Sequence, residues 1–407
     1  MSLKIKLPAL HWQILIALAL AVLFGIYFSE YVKYVSWMGT IFLRALQMII
    51  MPLVISSMIC GVANIGDAQN LGRIGLKTML FYVITTVIAI LTGLVLVNFF
   101  QPGVGADLNL IEKAEIPAAS GSLGQILIDI VPENVFAVMS VNRQLLSVIL
   151  FALLFGFFII KVSEKPRKQL TDFFNAVFEV MMKITFFIIK FTPLGIFGLV
   201  AEKIAPHKDV AALFESLGIY MVVVLLGLFI HAVVFMPLII RFIGRINPLR
   251  HFNAVKTALF TAFSTSSSNA TLPLTMESIE VNAGVSNKIT SFTLPLGATI
   301  NMNGTALYEC VAVIFIAQAY GIPLSFGQQV IVVATSLLAA IGAAGVPMAG
   351  LVMMSIILSA AGLPLEGIGL ILAVDRILDM FRTTVNVWGD TCCAVVIAKS
   401  EGEKLKV

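Results

Sequence analysis

The chain has 407 residues, 59% of them hydrophobic and 12% charged, with a formal net charge of +4 at pH 7. That balance, with repeated apolar runs long enough to span a bilayer, excludes a soluble globular protein, and so modest a charge gives no reason to expect a nucleic-acid partner. The reading is an all-α polytopic membrane protein.

The opening MSLKIKLPALHW lacks a cleavage site after its apolar run, so it reads as the start of a first helix preceded by Lys4 and Lys6, not as a removable signal. Six apolar runs of spanning length follow, at residues 12–32, 37–63, 74–100, 145–161, 174–201 and 213–240. Each could cross ~30 Å of hydrocarbon at ~1.5 Å per helical residue. Between the third and fourth lies a polar stretch, 101–143, that reads as an external loop. The short turns on the other side are basic: Arg73 and Lys77, then Lys165, Arg167 and Lys168, then Arg241, Arg245 and Arg250. With Lys399, Lys404 and Lys406 in the tail, they place both termini in the cytoplasm of a cell-membrane protein. Cys60, Cys310, Cys392 and Cys393 all fall in apolar segments and read as packing residues.

The remaining sequence departs from simple spans. In 253–284 two half-length apolar arms, NAVKTALFTAF and LPLTMESIEV, flank the polar turn STSSSNAT, which predicts a re-entrant hairpin. The pattern recurs at 326–362, with QQVIVVATSLLAA and LVMMSIILSAA around IGAAGVPMAG. After each hairpin a long helix is interrupted by polar residues, TLPLGATINMNGTALYECVAVIFIAQ and IGLILAVDRILDMFRTTVNVWGDTCCAVVIA. Hairpin, broken helix, hairpin, broken helix is an inverted repeat, and such breaks mark a secondary transporter's site near the midplane.

In DRILDMFRTTVNVWGD, at ~100° per residue and with Asp375 at zero, Asp379 falls near ~40°, Arg382 near ~−20°, Asn386 near ~20° and Asp390 near ~60°. One narrow face carries all five. A polar seam between helices is the alternative, but each ionisable group inside a membrane costs at least a few kcal/mol, which favours a site. Asp379 and Arg382 together suit an ammonium and a carboxylate on one small zwitterion, and a ligand with a second carboxylate suits Arg382 best. STSSSNATLP offers hydroxyls and free amides where a helix begins. In NMNGT a glycine frees carbonyl oxygens, making Thr299, Asn301, Asn303, Thr305 and Asp390 candidate sodium ligands. GAAGVP supplies hinges for a gate or close-packing contacts. Glu309, one turn past Thr305, is a proton-carrier candidate or a carboxylic acid hydrogen-bonded to a neighbouring helix.

STSSSNATLP, PLGATINMNGTALYE, GAAGVPMAG and DRILDMFRTTVNVWGD, in this order, resemble the signature elements of the glutamate transporter family of dicarboxylate/amino acid:cation symporters. The resemblance covers essentially the whole chain. It implies eight transmembrane helices plus two re-entrant hairpins, and a homotrimer among membrane lipids in which a transport domain moves, elevator fashion, against a fixed scaffold. Scaffold helices would occupy 1–72, with helix 3 of the transport domain at 73–101, a loop and helix 4 of the trimerisation scaffold at 102–173, helix 5 at 174–210, transport helix 6 at 211–250 and the transport core at 251–407.

The resemblance further implies that Asp379 holds the α-amino group and Arg382 the side-chain carboxylate of an acidic amino acid. Asn386, Ser267, Ser268 and the backbone at Val346 would hold the main-chain carboxylate, with Thr305 and Thr383 assisting near the side chain and Gly350 also in the substrate site. Gly297, Asn301, Asn386 and Asp390 would form one sodium site; Thr299 with Ala340, Ile341 and Ala343 would form a second. The dicarboxylate branch lacks Asp379 and neutral amino acid members replace Arg382, so aspartate or glutamate is the expected substrate. An anion channel is the competing class, and an enzyme is not expected, because the GxGD motif is absent and His231 lies on a different segment from the serine turn.

The departures carry expectations too. Asn303 stands where the family has aspartate, at a third sodium site that Tyr82, Thr85, Thr86 and Asn301 would share, so that site should be weakened. Glu309 matches the acidic residue of proton-coupled relatives. Ser266 and Met380 replace arginines of two other branches, and potassium counter-transport is not assumed.

Overall fold

The computed structural model describes residues 10–66, 72–105, 128, 131–139, 145–205, 210–342 and 349–407. Among the described residues every regular element is a helix, without a strand. In chain order the helices are α1 (Leu10–Tyr27), α2 (Ser36–Gly66), α3 (Gly72–Phe100), α4 (Leu145–Lys161), α5 (Glu164–Ile189), α6 (Thr192–Ile204) and α7 (Val210–Ile230). There follow α8 (Pro248–Thr265), α9 (Ser268–Glu277), α10 (Asn287–Ile300), α11 (Asn303–Ala319), α12 (Phe326–Gly342), α13 (Ala349–Ala360) and α14 (Ile368–Ser400).

Among the described residues four stretches are long and apolar enough to cross a membrane: Ser36–Ala63, Arg73–Phe100, Glu215–Phe242 and Asn287–Ala319. A bent pair, Glu164–Ile189 with Thr192–Glu202, makes a fifth. The chain is therefore a multi-pass helical membrane protein.

Several elements differ from their sequence expectation. The first span ends at Tyr27, and residues Ser29–Tyr34 form a 3₁₀ turn. The fifth span begins ten residues early and bends by 55° after Ile189. Phe191 (φ −89°, ψ 0°) leaves the helix there, and Pro193, which has no N–H to give, starts the next one. The sixth span contains a π-helical turn, His231–Phe235, before it resumes at Met236–Phe242.

The first hairpin forms, but its turn is narrower than the polar stretch implied. Asn247 caps α8 by accepting from the amides of Leu249 and Arg250 ahead of Pro248. Ser266 then adopts a left-handed conformation (φ 50°), and Ser267 caps α9 by accepting from the Ala270 amide. The rest of STSSSNAT is helical. The arms of the second hairpin are α12 and α13; its tip, residues 343–348, lies outside the described residues.

The first broken helix is broken where expected. Asn301 (φ −99°, ψ 84°) and Met302 (φ −113°, ψ 60°) leave helical geometry between α10 and α11. The second is not: α14 runs unbroken for 33 residues. Its polar residues occupy one face, and neither Gly nor Pro forces an exit from the helix.

α11 lies at the centre, with every residue from Asn303 to Ala317 buried. An apolar stretch that is hydrophobic on every side belongs in such a position. Helices α3, α7, α12, α13 and α14 pack around it. On one side α1, α2, α4, α5 and α6 pack mainly on one another; on the other α8, α9, α10 and the second half of α14 share a separate core with α3.

Candidate functional site

The charged face of α14 is buried as a unit: Asp375 is 1% exposed, Asp379 4%, Arg382 1%, Asn386 3% and Asp390 3%. Burying ions costs several kcal/mol each unless partners compensate, so their partners define the site.

Arg382 is the centre. Its Nε donates to Asp379 Oδ1 at 2.9 Å and its Nη1 to Asp375 Oδ1 at 3.1 Å. Nη2 lies 2.8 Å from the same Asp379 oxygen but is aimed past it, and makes no hydrogen bond. Asp375 Oδ2 is likewise buried without a partner. The guanidinium lies over the Tyr308 ring, 4.2 Å from its centroid, and the Tyr308 hydroxyl donates to Asp375 Oδ1 at 2.7 Å. A Cβ at Gly350 would come within 2.8 Å of the guanidinium, so the first turn of α13 lies against Arg382. The positive end of a helix and an arginine with an unspent donor thus converge, which suits a carboxylate.

Asn386, one turn on, works on the break. Its Oδ1 accepts from the amides of Gly304 at 2.8 Å and Thr305 at 3.3 Å, and its Nδ2 donates to Thr305 Oγ1 at 3.0 Å. Helix α11 begins without a local side-chain cap, so Asn386 supplies one from another helix. Thr383 is buried on the same helix.

One further turn along, Asp390 Oδ1 accepts from Asn301 Nδ2 at 2.8 Å. Asn301 Oδ1 is buried with no partner, and a Cβ at Gly297 would overlap Asp390 and the Tyr82 hydroxyl. A glycine that admits a carboxylate, beside an orphaned amide oxygen, fits a small monovalent cation.

Asn303 sits differently. Its Oδ1 accepts from Thr86 at 2.6 Å, and its Nδ2 lies 3.4 Å from His231 Nε2 in the π-helical turn that follows α7. Tyr82 donates to the Thr293 carbonyl and Thr85 to carbonyls of its own helix. An amide whose oxygen already accepts from Thr86 and whose nitrogen faces an imidazole offers a cation less than a carboxylate would.

Thr299 is exposed, and its hydroxyl donates to the Leu296 carbonyl at 2.9 Å. It shares no hydrogen bond with Ala340 or Ile341, although α10 and α12 touch. Val346 and Ala343 lie outside the described residues. Ser267 and Ser268 are buried at the first hairpin's tip, and α9 touches α14. Glu309 is fully buried with neither carboxylate oxygen hydrogen-bonded, within electrostatic reach of Arg382 and Asp375.

Residues 10–400 match the sequence model of the sodium:dicarboxylate symporter family. The chain belongs to that family. Its members are transporters, and this one is 41% identical to excitatory amino acid transporter 3 of Homo sapiens, over 92% of this chain and 80% of the relative. It is 36% identical to the proton/glutamate-aspartate symporter of Escherichia coli (strain K12), over 97% of this chain and 93% of the relative. The proton/sodium-glutamate symport protein of Geobacillus stearothermophilus is also 36% identical, over 97% of this chain and 95% of that one.

Sequence reasoning about this symporter missed two partners. Tyr308 could have been found, since it lies one helical turn beyond the Gly304 of NMNGT. His231 could not, because nothing in a single sequence links it to Asn303, 72 residues away.

Proposed function

We propose that the chain is a secondary active symporter that takes up aspartate or glutamate with sodium ions and a proton. The observation that carries this reading is a buried arginine held by two aspartates against the start of α13. A ligand with a carboxylate and an ammonium can exchange with that internal ion pair, its carboxylate taking Arg382 and its ammonium Asp379, so that no buried charge is left alone. The amino acids for which the relatives are named, glutamate and aspartate, support the choice.

Asn386 lies between Arg382 and the Asp390–Asn301–Gly297 cluster and also caps α11. Any shift at Arg382 is therefore felt at the helix break, which gives the two sites a shared mechanical element. Asp390 and Asn301 would hold a sodium ion, which supplies the positive charge that Asp390 lacks. Glu309, buried and partnerless, is the proton carrier in this reading.

The wider architecture in the proposal is eight spans and two hairpins, both termini cytoplasmic, assembled as a homotrimer in the lipid membrane. The packing of α1, α2, α4, α5 and α6 on one another supports their role as scaffold. Helices α3 and α7 to α14 would be the part that moves, elevator fashion.

The test is uptake of labelled aspartate and glutamate into proteoliposomes, with inward sodium and proton gradients imposed separately and together. Accumulation of either amino acid only with an inward sodium gradient, quickened by an added proton gradient, is the expected result. Uptake driven by protons without sodium would sink the Asp390 assignment, and failure to accumulate either amino acid would sink the reading.

A further inference from the structure

Away from the charged site, α7, α8 and α14 enclose an open groove of about 860 Å³. Its walls include Val222 and Phe229 of α7, Phe260 of α8, and Phe381 and Val385 of α14. Two polar residues are among its lining, Thr384 and Lys256. The Thr384 hydroxyl is turned back to the Met380 carbonyl at 2.8 Å, which leaves Lys256 as the groove's unspent polar group. Lys256 is exposed and has neither an ion pair nor a hydrogen bond among the described residues.

The dimensions favour one kind of occupant. The wall from Val222 of α7 to Val233 of the following π-helical turn rises by eleven residue steps, about 16 Å at helical rise, roughly half the ~30 Å hydrocarbon core. A slot one leaflet deep, apolar throughout and marked by one lysine on the helix that follows the basic turn Arg241, Arg245 and Arg250, matches an acyl chain with a negatively charged headgroup. A helix of another chain would need partners for its own polar flank, and the groove offers it one cation. A neutral lipid would leave that cation unpaired.

We propose that this groove is a binding site for one anionic phospholipid, its acyl chain between α7, α8 and α14 and its headgroup on Lys256. The site backs directly on the substrate helix, because Phe381 adjoins Arg382 and Val385 adjoins Asn386. Occupancy therefore stiffens α14 behind the charged face. That consequence rests on the symporter reading, whereas the binding itself does not.

The test uses the whole chain, reconstituted in vesicles of phosphatidylcholine or of phosphatidylglycerol carrying brominated acyl chains, with Trp12 and Trp37 replaced by Phe so that Trp388 reports. Trp388 is suitable because its ring lies 6.2 Å from the groove residue Phe252. Brominated phosphatidylglycerol, diluted in unbrominated phosphatidylcholine, is expected to quench Trp388 saturably, with brominated phosphatidylcholine about fivefold weaker, the factor one lysine contact supplies. Lys256→Gln is expected to remove the difference between the two lipids. Equal quenching by both on the unaltered groove, or a difference that survives Lys256→Gln, overturns the proposal. So does an inter-chain cross-link at Phe260→Cys, which would show a second copy on this face. Should the lysine variant fail to fold, native mass spectrometry of the wild-type chain decides: one retained phosphatidylglycerol per chain, in preference to phosphatidylcholine, supports the site, and no preference removes it.

Discussion

Tyr308 and Arg382 act on the same carboxylate: the tyrosine hydroxyl and Nη1 of the arginine both donate to Asp375 Oδ1, while the guanidinium rests on the tyrosine ring. Arg382 is thus fixed by charge on one side and by an aromatic face on the other. Tyr308→Phe keeps the face and loses one hydrogen bond. It is expected to raise the KM for aspartate by about fivefold, from roughly 1 kcal/mol, with the maximal rate little changed. An unaltered KM would show that Asp375 does not need the tyrosine.

Arg382→Lys keeps the charge but gives up the planar fork that reaches both aspartates. Uptake efficiency for aspartate is expected to fall about a hundredfold, corresponding to roughly 3 kcal/mol. Near-normal uptake by the lysine variant, measured as the initial rate at low substrate, would remove Arg382 from the substrate site.

For Asn386→Ala the expectation is structural as well as functional. The amides of Gly304 and Thr305 lose their acceptor. Thermal unfolding in detergent should show a loss of about 1–2 kcal/mol, the usual cost of a missing cap. A variant with wild-type stability and impaired uptake would confine Asn386 to ligand contact.

Asn303→Asp restores an anionic oxygen beside Thr86. Sodium should then stabilise the protein against heat at about tenfold lower concentration, with potassium as the inert control. If the wild type and the variant respond to sodium alike, Asn303 is not what weakens the third site.

The tail gives a pH prediction. Lys77, and then Arg73, hydrogen-bond to Glu401 and hold its carboxyl below the ordinary value of 4.5. A depressed carboxylate pKa stabilises the folded arrangement above the unfolded value and loses that contribution as pH falls through the folded one. Protection factors for hydrogen exchange in residues 400–407, taken against the intrinsic rate at each pH, should therefore fall below about pH 4.5, where unfolded glutamates protonate. Glu401→Gln should exchange quickly at every pH, and a tail that remains protected in that variant would contradict the role.

The charged face of α14 was legible in the sequence because helical period alone aligns Asp375, Asp379, Arg382, Asn386 and Asp390, and apolar surroundings make each of them conspicuous. The first hairpin, the two helical arms α12 and α13 and the break at NMNGT were legible for a similar local reason: half-length arms and a glycine are properties of short stretches. Chain-order reasoning failed where a choice depended on another element. Whether a polar helix breaks is decided by what receives its free amides, and α11 breaks because Asn386 waits to cap it, whereas nothing of the kind interrupts α14. The same holds for Asn303, whose oxygen and nitrogen are claimed by Thr86 and His231, and for Tyr308 beneath Arg382. Residue types and their period determined which groups are present and which face they share. Only tertiary packing decided which of them are already satisfied by one another, because a buried polar atom takes its partner from whichever helix is adjacent.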